Sequence, residues 1–75
     1  MKERTLKLRE YSIRGLFKHI GAGNKLHVPL NLYKKFSVQV ECSRRNEVER
    51  TDPMNNKYAT STTEKEGYIT IFQRY

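Results

Sequence analysis

Eleven of the fifteen lysines and arginines fall within residues 1–45, where only three acids, Glu3, Glu10 and Glu41, oppose them; this stretch carries +8, and the remaining thirty residues, with four cations and five acids, carry −1. Ammonium and guanidinium groups at such density suit a polyanion, and nucleic acid is the commonest one. By position they form separate sets. Lys2, Arg4, Lys7 and Arg9 could follow a phosphate backbone or enter a minor groove; Lys34, Lys35, Arg44, Arg45 and Arg50 surround the segment 36–50; Lys65 stands nearer the C-terminus. If 37–50 is helical, Gln39, Ser43 and Asn46 share one side at spacings of four and three, with Arg50 a further turn along. Gln and Asn bond adenine edges and Arg bonds guanine or phosphate, so this side could read bases. It could equally be a solvated polar face on which Glu41, Glu47 and Glu49 cancel part of the charge.

Other chemistry is thinly supplied. His19, His27 and Cys42 lack the paired spacing of a four-ligand zinc site, so no metal and no other cofactor is expected. The two histidines could act as acid and base in a nuclease, but eight residues separate them across an expected turn, and no carboxylate pair or nucleophile motif accompanies them; no enzyme is expected. Residues 21–25 follow the carboxyl end of a helix, where the dipole is negative, and read as a C-cap and turn rather than a phosphate cradle.

A chain of 75 residues makes one domain, 1–75, and hides only roughly 60 % of the surface its unfolded form exposes. Hydrophobic content of 36 % and a mean hydropathy of −0.86 are low for a self-sufficient fold, which suits a homodimer or a domain stabilised by its ligand. No apolar run approaches the roughly 18 residues of a membrane span, and residues 1–10 lack an apolar signal-peptide core, so a soluble intracellular chain with no membrane partner is expected. The single Cys42 cannot form an internal disulfide, in keeping with a reducing compartment.

The elements that must position these residues follow from periodicity. Residues 1–11 are a basic arm or an edge strand, Leu6 and Leu8 alternating with Lys7 and Arg9, ahead of a compact core in 12–75. Ser12 is a candidate N-cap for a helix whose apolar stripe is Ile13, Leu16, Phe17 and Ile20, stopped by Gly21 or Gly23. Residues 25–28 form a short strand ended by Pro29. In 36–43, Phe36, Val38, Val40 and Cys42 alternate with polar residues, which locally favours a strand; Ser37 as N-cap and the polar continuation to Arg50 favour a helix. Residues 51–56 form a loop, and 57–62 with 68–73 a C-terminal β-hairpin.

The helix, the Gly-rich turn, Val28-Pro29, the run Ser37-Val38-Gln39-Val40, then Cys42-Ser43-Arg44 and Asn46, and finally Lys57-Tyr58 and Gly67-Tyr68-Ile69-Thr70-Ile71 with Arg74 resemble a group of small, basic, mostly uncharacterised proteins of phages and mobile elements of gut bacteria. The resemblance spans nearly the whole chain, and it implies that the middle segment is helical and that the chain acts in the cytoplasm of a bacterial host cell. Here Gln39 stands where those proteins have Arg, Glu41 replaces a small residue and Arg45 an apolar one. With that helix adopted, the fold is α+β in the order helix, strand, helix, strand, strand, similar to a trimmed winged helix with 62–68 as the wing. Its expected core is Ile13, Leu16, Phe17, Ile20, Leu26, Val28, Phe36, Val38, Cys42, Ile69 and Ile71.

The functional expectation is non-catalytic binding of duplex DNA: the arm and Lys34-Lys35 hold phosphates, the second helix faces a groove through the exposed Arg44 and Arg45, and Lys65 touches the adjacent backbone. Two alternatives stand beside it. The same positive surface could dock on an acidic host protein. Or Tyr68, Thr70, Phe72 and Arg74, which share one side of the last strand, could stack single-stranded RNA or DNA, although in so small a protein that row is expected to lie beneath the arm or a second subunit.

Overall fold

In the computed structural model, which describes residues 2–49, 51, 52 and 54–75, helix α1 (Ile13–Lys18) begins where expected. The Ser12 hydroxyl accepts from the Gly15 amide at 3.1 Å, satisfying one of the free amides of the first turn. Leu16 and Phe17 are buried on its inner side and Ile20 follows just past its end. The turn after α1 needs left-handed backbone at Gly21 and Gly23, with φ of 89° and 78°. Its hydrogen bonds are structural. Asn24 donates to the Ile20 carbonyl at 3.0 Å and accepts from the Lys2 amide at 2.9 Å, while the Gly21 amide donates to Gln73 Oε1 at 3.2 Å.

Of the N-terminal segment read as an arm or an edge strand, only Glu3–Thr5 is a strand; the alternating stretch that suggested one lies beyond it, with Leu6 buried and Leu8 exposed. β1 (Glu3–Thr5) runs parallel to β2 (Lys25–Pro29); β2 pairs antiparallel with β4 (Tyr68–Gln73), and β4 with β3 (Tyr58–Ser61), in the order β1-β2-β4-β3. Pro29 is tolerated at the end of a central strand for a geometric reason. The Lys25 amide faces β1, bonding the Lys2 carbonyl, so the nitrogen of Pro29, at the same parity, also faces β1, but beyond that strand's last residue. From residue 12 onward the order of elements is the expected one, and β1 adds a fourth strand.

Residues 36–43 are helical, within α2 (Lys35–Glu49). Two residues advance a helix by about 200°, so Val38 and Phe36, side by side in a strand reading, point to nearly opposite sides. Val38 and Cys42, four apart, face the core together with Glu41, whereas Phe36 is 75 % exposed. Phe36 therefore leaves the expected core list. Ser37 is not the N-cap either: the helix starts two residues earlier, and the Val38 amide donates to the Lys34 carbonyl.

Both helices pack on one face of the sheet. Leu26, Val28, Ile69 and Ile71 meet Leu16, Phe17, Val38 and Cys42 there, with Leu6, Tyr33 and Tyr58 completing the core. Phe17 meets the Tyr58 ring edge-on at 5.2 Å. Among the described residues, no helix is long and apolar enough to cross a membrane.

Candidate nucleic-acid interface

Because side chains alternate along a strand, the partners that face each other on the helix-free side of the sheet follow from the register. Lys25 lies opposite Phe72, His27 opposite Thr70 and Pro29 opposite Tyr68; Ala59 and Ser61 flank this row on β3, Glu3 and Thr5 on β1. Neither helix contributes here, and the N-terminal segment does not lie over the row, since it pairs in the plane of the sheet as β1. The expected covering by the arm is thus corrected.

The centre of this face is a polar chain. His27 Nδ1 lies 2.7 Å from Thr70 Oγ1, and Nε2 donates to the Glu3 carboxylate, which can only accept. The hydrogen bond from His27 holds the Glu3 carboxyl below the usual carboxylate range, and Lys25 and Lys65 add to it. Carboxylate, imidazole and hydroxyl in series have the connectivity of a nucleophile relay. Thr70, however, is 0 % exposed and sits in mid-ladder between two strands, where its backbone serves the sheet. The chain is a clamp joining β1, β2 and β4.

Around the clamp stand two half-buried rings, each beside a lysine. The Lys65 ammonium is 4.7 Å from the Tyr68 centroid and 3.5 Å from Thr5 Oγ1, so the hairpin loop leans along the sheet; the Lys25 ammonium is 5.9 Å from the Phe72 centroid. On the other flank of Phe72 the neighbour is only Ala59, and a shallow cleft of about 500 Å³ opens there, reaching Gly23 and Arg74. Arg74 is exposed at its rim. The flank of Phe72 is thus an open ring surface with Lys25 beside it and Arg74 at the rim of the cleft.

The residues expected to bind nucleic acid do not form one surface. Lys65 lies on the open face. Arg4 points the other way, bonding the Tyr11 hydroxyl at 3.4 Å and pairing with Glu10 at 3.9 Å. Lys2 and Lys7 are exposed, and Arg9 stacks on Tyr33 at 5.4 Å. Lys34, Lys35, Gln39, Ser43 and Arg44 are exposed along α2 or just before it, with Arg44 3.8 Å from Glu41. Arg50 lies outside the described residues.

Two expected contacts are corrected. Arg45 is no free surface cation: it bonds Glu41 at 3.2 Å, Glu49 at 2.7 Å and the Arg14 carbonyl at 3.1 Å, with 18 % of its side chain exposed. Asn46 grips the backbone of Tyr58 on β3, donating to its carbonyl at 3.0 Å and accepting from its amide at 2.8 Å. Both residues fasten α2 to its neighbours. Lys25 was missed, because only its register opposite Phe72 brings it to the face, and nothing local signals that pairing.

The same network sets an acid limit. Arg45 holds the Glu49 carboxyl below the usual carboxylate range, helped by Tyr58 and Lys57, and burial together with Glu49 pushes the Tyr58 hydroxyl up to about 12. With its folded value depressed, Glu49 contributes stability above its unfolded value of roughly 4.3 and loses it as pH falls through the folded value. Glu49→Gln is therefore expected to lose less stability than the wild type between about pH 6 and pH 3. Urea unfolding at the two pH values measures the difference; equal losses would show that Glu49 is not part of the acid response.

Comparison of the chain with known protein families, with curated proteins and with solved structures finds no match.

Proposed function

We propose that this chain is a non-catalytic nucleic-acid-binding domain that lays single-stranded RNA or DNA on the helix-free face of its sheet. The observation that carries the reading is the pairing, on one open face, of Tyr68 and Phe72 with Lys65, Lys25 and Arg74 beside a base-sized cleft. Stacking on such rings accepts any base, and cations beside them track the backbone. The duplex alternative through α2 has less to work with. Arg45 and Asn46 are occupied inside the molecule, and Phe36, Val40 and Val48 stand exposed on the helix where a groove reader would present polar side chains. A cytoplasmic location, where single-stranded RNA is met, belongs to the same reading.

Binding of labelled single strands and of the matching duplex, measured over a series of salt concentrations, tests it. Single strands are expected to bind more tightly, and with about three phosphates neutralised the slope of log affinity against log salt should be about −2. Duplex binding that equals or exceeds single-strand binding returns the site to the α2 side; an affinity indifferent to salt removes nucleic acid as the ligand.

A further inference from the structure

Between β1 and the end of α1, on the side of the sheet that carries the helices, a second cleft of about 210 Å³ gathers donors. Lys2 and Arg4, two apart on extended chain, share that side of β1, and His19 closes the cleft from the end of α1. Their neighbours hold them there: the Arg4 guanidinium bonds the Tyr11 hydroxyl at 3.4 Å, the Tyr11 ring stacks on His19 at 4.1 Å, and the Lys2 amide bonds Asn24 Oδ1 at 2.9 Å. Among the described residues, neither the Lys2 ammonium nor the His19 ring makes a hydrogen bond or an ion pair. The one acid beside Arg4 is Glu10, at a loose 3.9 Å and half exposed. An anion placed here also meets the carboxyl end of α1, whose carbonyls oppose it. Asn24 engages the two that follow the helix, donating from its side chain to Ile20 at 3.0 Å and from its amide to Gly21 at 3.1 Å, so the side-chain cations set the sign of the cleft.

We infer that this cleft binds a phosphate monoester, the terminal phosphate of a nucleic-acid strand, through Lys2, Arg4 and His19, with Arg4 exchanging Glu10 for the ligand. The inner wall is formed by Ile20 and Leu26, both buried in the core, so the cleft ends blind. A phosphodiester continues in two directions and suits such a site poorly, whereas a monoester enters end-on and brings close to two negative charges at neutral pH. That the ligand is a strand end rests on the single-strand reading. Asn24 lines both this cleft and the one beside Phe72, and Lys25 borders this cleft while its ammonium reaches the Phe72 ring. β4 and β1 are two strand spacings apart, roughly 10 Å, so a base on Phe72 and a phosphate in the cleft can belong to one short chain.

Short single strands that differ only in their ends test the inference: hydroxyl at both, phosphate at the 5′ end, or phosphate at the 3′ end. One phosphorylated strand is expected to bind about tenfold more tightly than the hydroxyl-ended one. In Lys2→Gln/Arg4→Gln, checked for folding by circular dichroism, that ratio should fall to about one, and Glu10→Gln should raise it by removing the competing carboxylate. Lys34→Gln/Lys35→Gln, outside the cleft, should leave the ratio as it was. Equal affinities for all three strands overturn the inference, as does a ratio that the Lys34/Lys35 variant lowers as much as the Lys2/Arg4 variant. Inorganic phosphate separates the cleft from the single-strand reading, since it should shift the His19 ring signals saturably by NMR in the wild type and not in Lys2→Gln/Arg4→Gln. Saturation by phosphate when hydroxyl-ended strands do not bind at all would sink the single-strand reading and keep the cleft as a phosphate site; saturation with no gain for a phosphorylated end would overturn the strand end as its ligand.

Discussion

Arg45→Ala is expected to lower the stability of the domain by about 3 kcal/mol, because it leaves buried carboxylate without its cation. Glu41 is only 6 % exposed, and Arg45 is its closer ion-pair partner at 3.2 Å, with Arg44 at 3.8 Å. Arg45 also reaches the α1 carbonyl of Arg14, so its loss removes one of the links between the two helices. The neighbouring Arg44, with 59 % of its side chain exposed, serves as the control, and its replacement by alanine should change stability by no more than about 0.5 kcal/mol. For a domain of this size, whose total stability is of the order of 4–11 kcal/mol, the first change removes a large share. Urea denaturation of the two single mutants decides the matter. Equal midpoints would mean that the Arg45 network contributes nothing beyond an ordinary surface pair.

Replacing Tyr68 or Phe72 by leucine is expected to reduce affinity for single strands by about 1–3 kcal/mol for each base that stacks there, or roughly fivefold to a hundredfold, with little change on duplex. Leucine keeps apolar bulk on the strand and removes the flat π-face. Both rings are half-buried on a face without a helix, and the flank of Phe72 toward Ala59 is open, so the fold loses little contact. Measuring the melting temperature alongside both affinities separates recognition from packing. A lowered melting temperature with unchanged single-strand affinity would make the two rings part of the fold and sink the proposed interface.

Where a signal resides within one turn of chain, the sequence was enough. Ser12 and the stripe Ile13, Leu16, Phe17 and Ile20 define α1 because cap and apolar spacing are both local, and the Thr-, Tyr- and Ile-rich stretches on either side of Gly67 define the β3–β4 hairpin for the same reason. The buried side of β2 and β4 was equally legible, since Leu26, Val28, Ile69 and Ile71 alternate with residues less apolar than they are. The middle segment was not. Its alternation of Phe36, Val38, Val40 and Cys42 fits a strand, and the polar continuation beyond it together with the resemblance pointed to a helix; the helical period then sorted Val38 and Cys42 inward and Phe36 outward.

The roles of the polar residues lay further out of reach. Arg45 and Asn46 look like free recognition groups in a linear reading, yet Arg45, besides Glu41 and Glu49 four residues to either side, bonds the Arg14 carbonyl 31 residues away, and Asn46 bonds Tyr58 12 residues away. Lys25 meets Phe72, and His27 meets Thr70, only through the β2–β4 register. The charge available for a polyanion was thus readable from composition, because charge adds up without regard to folding. Which cations remain free to use it was decided by tertiary structure, because hydrogen bonds and ion pairs depend on distances that the packing of helices and the pairing of strands create.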